Sequence, residues 1–93
     1  MTVKFFAYLR DPEFANCKEL HMAAVPSVWD LGRVLSDRFG PKFQSEFFSP
    51  DGSQLGERVI IMVKGRRVEF LDGLHTPLTD ADTVQVFPVV AGG

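Results

Sequence analysis

The sequence closes on Phe87-Pro88-Val89-Val90-Ala91-Gly92-Gly93, and the group in it with the best-argued chemical role is the α-carboxylate of Gly93. Gly92 and Gly93 carry no Cβ, so a narrow channel that excludes side chains would admit this terminus, and its backbone can take conformations closed to other residues. Five extended residues from Val89 to Gly93 reach about 17 Å at about 3.4 Å each, enough to deliver the carboxylate into another protein's active centre. A carboxylate with a pKa of about 3.5 is ionised at neutral pH and unreactive toward nucleophiles, so an energy source must make it an acyl donor. The chain contains no P-loop, dinucleotide fingerprint, nucleophile elbow or metal-ligand pair at helical spacing. A chemical tail would therefore be activated by a separate ATP-using enzyme, and this chain would be a carrier and not a catalyst. Gly92 and Gly93 are read as the final residues, with no extension to be removed. The bland alternative is a frayed end, where glycine is common.

Other candidate groups carry weaker chemistry. Cys17 is the only cysteine, which excludes an intramolecular disulfide and a multi-thiolate metal site, and with only Lys18 beside it the thiol reads as incidental. His21 and His75 are isolated in sequence and read as surface or capping residues. Asp80-Ala81-Asp82 lacks the further oxygen ligands of a calcium loop and reads as a turn. Lys64, Arg66 and Arg67 form a basic hairpin, either a solvated turn or a docking patch for an acidic surface or a substrate phosphate held by a partner.

The elements that must position the tail follow from periodicity. Thr2 to Arg10 alternates as a first strand, with Val3, Phe5, Ala7 and Leu9 toward the core and Lys4, Phe6, Tyr8 and Arg10 on the other parity. Two aromatics among two cations suit a partner face, although the protein's own loops could equally cover them. Asp11-Pro12 breaks the strand, and Glu19 to Val25 is expected to return as a second one, closed by Pro26. Ser27 with Asp30 three residues on is a capping-box-like start. Val28, Leu31, Leu35 and Phe39 then form one helical stripe, ended by Gly40-Pro41, with Trp29 and Val34 expected to widen the buried face.

Lys42 to Phe48 predicts a short second helical turn carrying Phe43, Phe47 and Phe48 inward. Ser49 to Ser53 is a turn, and Val59 to Val63 is a buried strand. Lys64-Gly65 turns the chain into a strand over Arg66 to Phe70. An irregular Leu71 to Leu78 leads to a last strand over Thr83 to Phe87, after which Pro88 ends regular pairing. In that strand Val84 and Val86 face the core, so Phe87 joins Phe6 and Tyr8 in one aromatic patch if the first and last strands are neighbours. The order ββαββ predicts an α+β fold, a mixed four- to five-stranded sheet packed on one main helix. Residues 1–88 form the domain and residues 89–93 a flexible tail.

Composition sets the class. An apolar fraction of 45% with nine phenylalanines supplies one modest core, while 24% charged residues and a mean hydropathy near zero indicate a soluble globular chain. A net charge of −2 recommends neither nucleic acid nor an anionic membrane as partner. No apolar run approaches the roughly 18 residues of a membrane span and no leader-like segment opens the chain, so a cytoplasmic location is expected.

Four stretches taken together resemble the MoaD/ThiS sulfur-carrier family: Phe5 to Arg10, Val63-Lys64-Gly65-Arg66-Arg67-Val68, Thr76 to Asp82, and the ending Phe87 to Gly93. The ending is the specific part, and the ordered set spans nearly the whole chain. The resemblance implies the ubiquitin-like β-grasp fold, with first and last strands paired in parallel. It implies that the Gly93 carboxylate is adenylated by an E1-like adenylyltransferase of MoeB type, which uses the ATP, and is converted to a thiocarboxylate with sulfur from a sulfurtransferase. No cofactor is bound by the carrier itself.

In the MoaD branch the carrier docks on the large subunit of molybdopterin synthase, of MoaE type, and its sulfur enters the dithiolene of molybdopterin, or of the tungsten version. Ala91 and Gly92 would then line the partner's channel, and Phe6, Arg10 and Phe87 match the docking face, with Tyr8, Arg66 and Arg67 beside it. MoaD is favoured over ThiS because thiamine carriers lack much of the Lys42 to Leu55 region. The chain departs from the family pattern at Lys64, where Asn usually precedes the glycine, at Ala81, where Gly is usual, and at Val89, which replaces the second proline after Phe87. The first two touch turns, and the third loosens the root of the tail. Competing readings are a protein modifier joined through Gly93 to lysines, a thiamine sulfur carrier, and a plain β-grasp binding module with an idle tail.

Overall fold

The computed structural model describes residues 1–6 and 19–88. Five strands, β1 (Thr2–Phe5), β2 (Glu19–His21), β3 (Val59–Val63), β4 (Arg66–Arg67) and β5 (Thr83–Pro88), form one sheet in the order β2-β1-β5-β3-β4. Two helices, α1 (Val28–Phe39) and α2 (Pro41–Phe47), accompany it. The central pair β1 and β5 is parallel, in the register Thr2 to Thr83 through Phe5 to Val86, and the other pairings are antiparallel. This is the expected mixed α+β sheet on one main helix, and the short second helical turn expected over Lys42 to Phe48 is present as α2.

Alternation along the strands separates two faces. Val3, Phe5, Val59, Ile61, Val63, Val84 and Val86 are buried and join Val28, Leu31, Leu35, Phe43, Phe47 and Phe48 of the helical layer in one core. Each such side chain contributes about 1.5–3 kcal/mol by leaving water. Residues of the opposite parity form the open face.

The start of α1 is capped as the sequence predicts. Ser27 is extended, its hydroxyl accepts the Asp30 N–H at 3.3 Å and donates to the Asp30 carboxylate at 2.7 Å. At the other end Gly40 takes φ 98° and its N–H closes on the Ser36 carbonyl at 2.8 Å, while Pro41 opens α2 where a missing N–H costs nothing. Gly32 is needed for close approach: a Cβ there would lie 2.6 Å from the Phe48 Cζ and would also meet the Phe47 ring. A glycine inside the helix thus lets α1 rest on the aromatic end of α2.

The expected burial of Trp29 and Val34 is corrected, since both are exposed, at 40% and 39%. At about 100° of rotation per residue, Trp29 lies about 100° to one side of the Val28 axis and Val34 about 120° to the other, beyond the stripe that meets the sheet. Trp29 is partly covered by Arg33, whose guanidinium stands 5.7 Å from its ring centre, and by the edge of Phe48.

Three strands also differ from expectation. β2 stops at His21 and not Val25, because β1 begins at Thr2 and leaves nothing to pair beyond the bonds between Met1 and Met22. β4 is two residues long, and the chain passes at once into a 3-10 turn, Val68–Phe70, that turns Val68 fully into the core. β5 runs one residue past Phe87, with Pro88 still in register with Val59, since a proline closing a strand forfeits only its own N–H.

Side-chain bonds tie the loops to this frame. Asp82 is buried and its carboxylate accepts the Thr79 N–H at 2.8 Å, while its carbonyl accepts the Thr2 N–H at 3.1 Å and joins the starts of β5 and β1. Asp80 accepts the Ala24 N–H at 2.9 Å. The Asp80-Ala81-Asp82 stretch is thus the predicted turn. No helix among the described residues is long and apolar enough to cross a membrane.

Candidate docking face at the root of the tail

Parallel pairing of β1 with β5 makes two distant stretches of sequence into neighbours at one end of the sheet. The Phe6 N–H donates to the Val86 carbonyl at 2.9 Å, extending the ladder one residue beyond β1. This brings the Phe6 and Phe87 rings together on the open face, stacked with 4.6 Å between centroids and 10° between planes. β3 adds Ile60, in register with Phe87, and Met62, in register with Gln85, both half-buried. An apolar row thus crosses three strands at the point where the chain continues to residues 89–93.

Charged groups border this row. On the β2 side Lys4 lies 3.9 Å from Glu19, and the Glu19 carboxylate also lies 3.2 Å from His21 Nε2. On the β4 side Arg67 donates to Glu69 from Nε at 3.0 Å and from Nη2 at 2.6 Å. An aromatic centre within a polar rim is the composition of a protein-binding surface, in which the centre supplies affinity and the rim supplies orientation.

Of the predicted site residues, the structure brings Phe6 and Phe87 into contact and sets Arg67 on the strand next to Met62, already paired. Arg66 is exposed, in register with Val63. Tyr8, Arg10, Ala91, Gly92 and Gly93, together with Cys17 and the proposed flexible tail, lie outside the described residues. Ile60 and Met62 were missed as surface residues, because an unbroken apolar run reads as buried on both sides. The cue was that β5, their neighbour, alternates, so that β3 beside it must alternate too. Phe70, 77% exposed, was missed because it was assigned to a strand that ends earlier.

The Lys64-Gly65 turn has φ 57° at Lys64 and 75° at Gly65, the pair of positive values that a tight two-residue hairpin requires. Lysine in this conformation is strained, because its Cβ crowds the following carbonyl oxygen. Among the described residues no group of three or more His, Cys, Asp or Glu is arranged to hold a metal. A groove of about 720 Å³ lies on the helical layer against Trp29, Arg33, Phe48 and Pro50.

Comparison with known proteins gives a consistent picture. A family model described as ThiS family matches residues 3–93. Small archaeal modifier protein 3 of Haloferax volcanii is 44% identical over 43 residues, 46% of this chain and 47% of that protein, so the match spans about half of that relative's length. The solution structure of small archaeal modifier protein 1 from Methanosarcina acetivorans superposes with a TM-score of 0.76 at 29% identity, covering 99% of this chain and 94% of that one. A structure assigned as molybdopterin converting factor, subunit 1, of Pyrococcus furiosus superposes with a TM-score of 0.63 at 31% identity, covering 96% and 95%.

Proposed function

Since the chain belongs to the ThiS family of small ubiquitin-like sulfur carriers and modifiers, we propose that it carries sulfur on its C-terminal glycine for the synthesis of molybdopterin. The observation that supports this reading is the apolar row of Phe6, Phe87 and Ile60 at the strand end from which the tail continues. A partner that grips this row receives the tail in a defined direction. Ordering five tail residues costs about 5–10 kcal/mol, at about 1–2 per residue, so docking must supply binding energy beyond the tail itself.

The chemistry follows from the inertness of a carboxylate. In an E1-like adenylyltransferase, a Gly93 oxygen attacks the α-phosphorus of ATP and pyrophosphate leaves. Attack of sulfide, delivered by a sulfurtransferase, at the acyl carbonyl then expels AMP and leaves a thiocarboxylate. In the large subunit of molybdopterin synthase that sulfur passes to the pterin, and water restores the carboxylate. The carrier's residues orient and deliver; they do not catalyse. Similarity to a Pyrococcus furiosus molybdopterin converting factor subunit supports the pterin as acceptor.

A second reading has its own support in the similarity to small archaeal modifier proteins. There a lysine amine attacks the same activated carbonyl and forms an isopeptide bond. Intact mass spectrometry after incubation with the E1-like enzyme, ATP and a sulfur donor tests the first reading, which requires one oxygen-to-sulfur replacement at the terminus. Gly-Gly remnants on lysines in digests of native cells, with no thiocarboxylate, would favour the second.

A further inference from the structure

Two features of the surface lack a counterpart among the described residues. The first is the groove of about 720 Å³ on the helical layer, a size that holds a large side chain together with its neighbours. Trp29 stays 40% exposed in its wall, and the Arg33 guanidinium, laid over the indole, has no ion-pair partner among the described residues. Asp51 is the other charged residue described in the lining, and one of its oxygens already accepts three bonds from Ser49 and Ser53. The second feature is Phe70, 77% exposed against 37% for Phe6, with no ring contact among the described residues. Two residues on, Asp72 is exposed, and only its backbone is hydrogen-bonded among the described residues. Glu69, on the other side of Phe70, is already taken by Arg67.

The two features lie side by side. Gly52 borders the groove, and Ser53, the next residue, shares a second hollow of about 330 Å³ with Glu69 and Asp72, which bracket Phe70 and Leu71. At 77% exposure the Phe70 ring does not fill the groove of its own chain. Yet ring and groove are complementary. An aromatic projection faces a recess walled by Trp29, Phe48 and Pro50, and an unpaired carboxylate beside the projection matches an unpaired guanidinium inside the recess. A projection and a recess that adjoin on one surface are both satisfied by a twofold axis between two copies, with every contact made twice.

We propose that a second copy of this chain occupies the groove. In a twofold dimer the Phe70 ring of each copy enters the groove of the other, and the Asp72 carboxylate of each meets the Arg33 guanidinium of the other. This contact does not depend on the sulfur-carrier reading. It uses the helical layer, whereas Phe6 and Phe87 stack on the open face of the sheet. Trp29 also stands about 15 Å along α1, at about 1.5 Å per residue, from Phe39, whose ring meets Phe5 edge-on beside Phe6. A dimer therefore leaves both copies of the Phe6 and Phe87 row open to another partner.

Two inserted phenylalanines bury about 300–500 Å² of their own surface, at about 150–250 Å² each, so the interface is small and association weak, with a Kd of about 100 µM. Sedimentation of the full chain from about 10 µM to about 1 mM is expected to pass from monomer to dimer and stop there. Trp29 is the only tryptophan, so its emission should move to the blue over the same range as its ring leaves water. Phe70→Ala and Arg33→Asp are each expected to raise Kd at least about tenfold, while Arg38→Asp, which makes the same charge change elsewhere on α1, should leave it unchanged. Combining Arg33→Asp with Asp72→Arg should restore dimerisation, a rescue that a merely structural role would not give. Phe70, Arg33 and Asp72 are all exposed, so the variants should stay folded, and amide spectra verify this. A chain still monomeric at about 1 mM would overturn the proposal and leave the groove to a different protein. A dimer unaffected by Phe70→Ala and Arg33→Asp, or growth beyond the dimer, would overturn the reciprocal contact.

Discussion

The Phe6 ring lies flat against the Phe87 ring, 4.6 Å away and 10° from parallel, although the two residues are 81 positions apart. They meet because β1 and β5 are parallel neighbours, and they meet where the described chain ends. The pair closes that end of the sheet, and in the proposed function it is also the face offered to a partner. Such a stacked pair contributes about 0.5–1.5 kcal/mol beyond its area. A double-mutant cycle of Phe6→Ala and Phe87→Ala in urea unfolding is expected to show a coupling of about 1 kcal/mol; a coupling near zero would mean that the rings do not stack in solution.

Gly32 makes an opposite pair of demands visible. Alanine in a helix interior is ordinarily favoured over glycine by about 0.8–1 kcal/mol. Here the added methyl would collide with Phe47 and Phe48, both buried and unable to swing away. Overpacking of this kind costs about 1–3 kcal/mol, so Gly32→Ala is expected to lower the melting temperature. A raised melting temperature would contradict the packing of α1 on α2.

Lys64 is predicted to cost the turn stability. With φ at 57° it sits where asparagine or glycine is at ease, and Lys64→Asn is expected to gain about 0.5–1 kcal/mol in chemical denaturation. A variant that is no more stable than the natural chain would show that the turn relaxes in solution.

Asp51 offers a test by pH. Its carboxylate accepts the Ser53 N–H at 3.0 Å and the hydroxyls of Ser49 and Ser53, each at 2.8 Å, and these bonds, the backbone one first, lower its pKa from 3.8 to about 2. Because the folded value is the lower, the turn's contribution is fully present above pH 3.8 and is lost as pH falls toward 2. Carboxyl resonances followed by NMR should give a midpoint near 2 for Asp51; an ordinary midpoint near 3.8 would mean that the turn is open.

Much of this was legible in the sequence, and the reasons are local. The Ser27 cap, the Val28, Leu31 and Leu35 stripe and the Gly40-Pro41 stop are short-range signals, and the structure realises each. The Phe6 to Phe87 contact is long-range, yet strand parity implied it as soon as the two strands were neighbours. What was not legible depended on what each residue packs against. Whether Trp29 is covered depends on α2, the length of β2 depends on where β1 starts, and the outward face of Ile60 and Met62 depends on which strand lies beside them. Phe70 stands out only once Val68 is seen to turn inward and end the strand.

The central claim is that the carbonyl of Gly93 is what another enzyme acts upon. ATP–pyrophosphate exchange by a competent E1-like enzyme, measured with the natural chain, with Gly93 deleted, and with one added residue that nothing trims, tests it most directly. The account predicts exchange with the natural chain and none with either altered terminus, all three giving the same amide spectrum through residues 19–88. Equal exchange with the deleted or extended chain would contradict it.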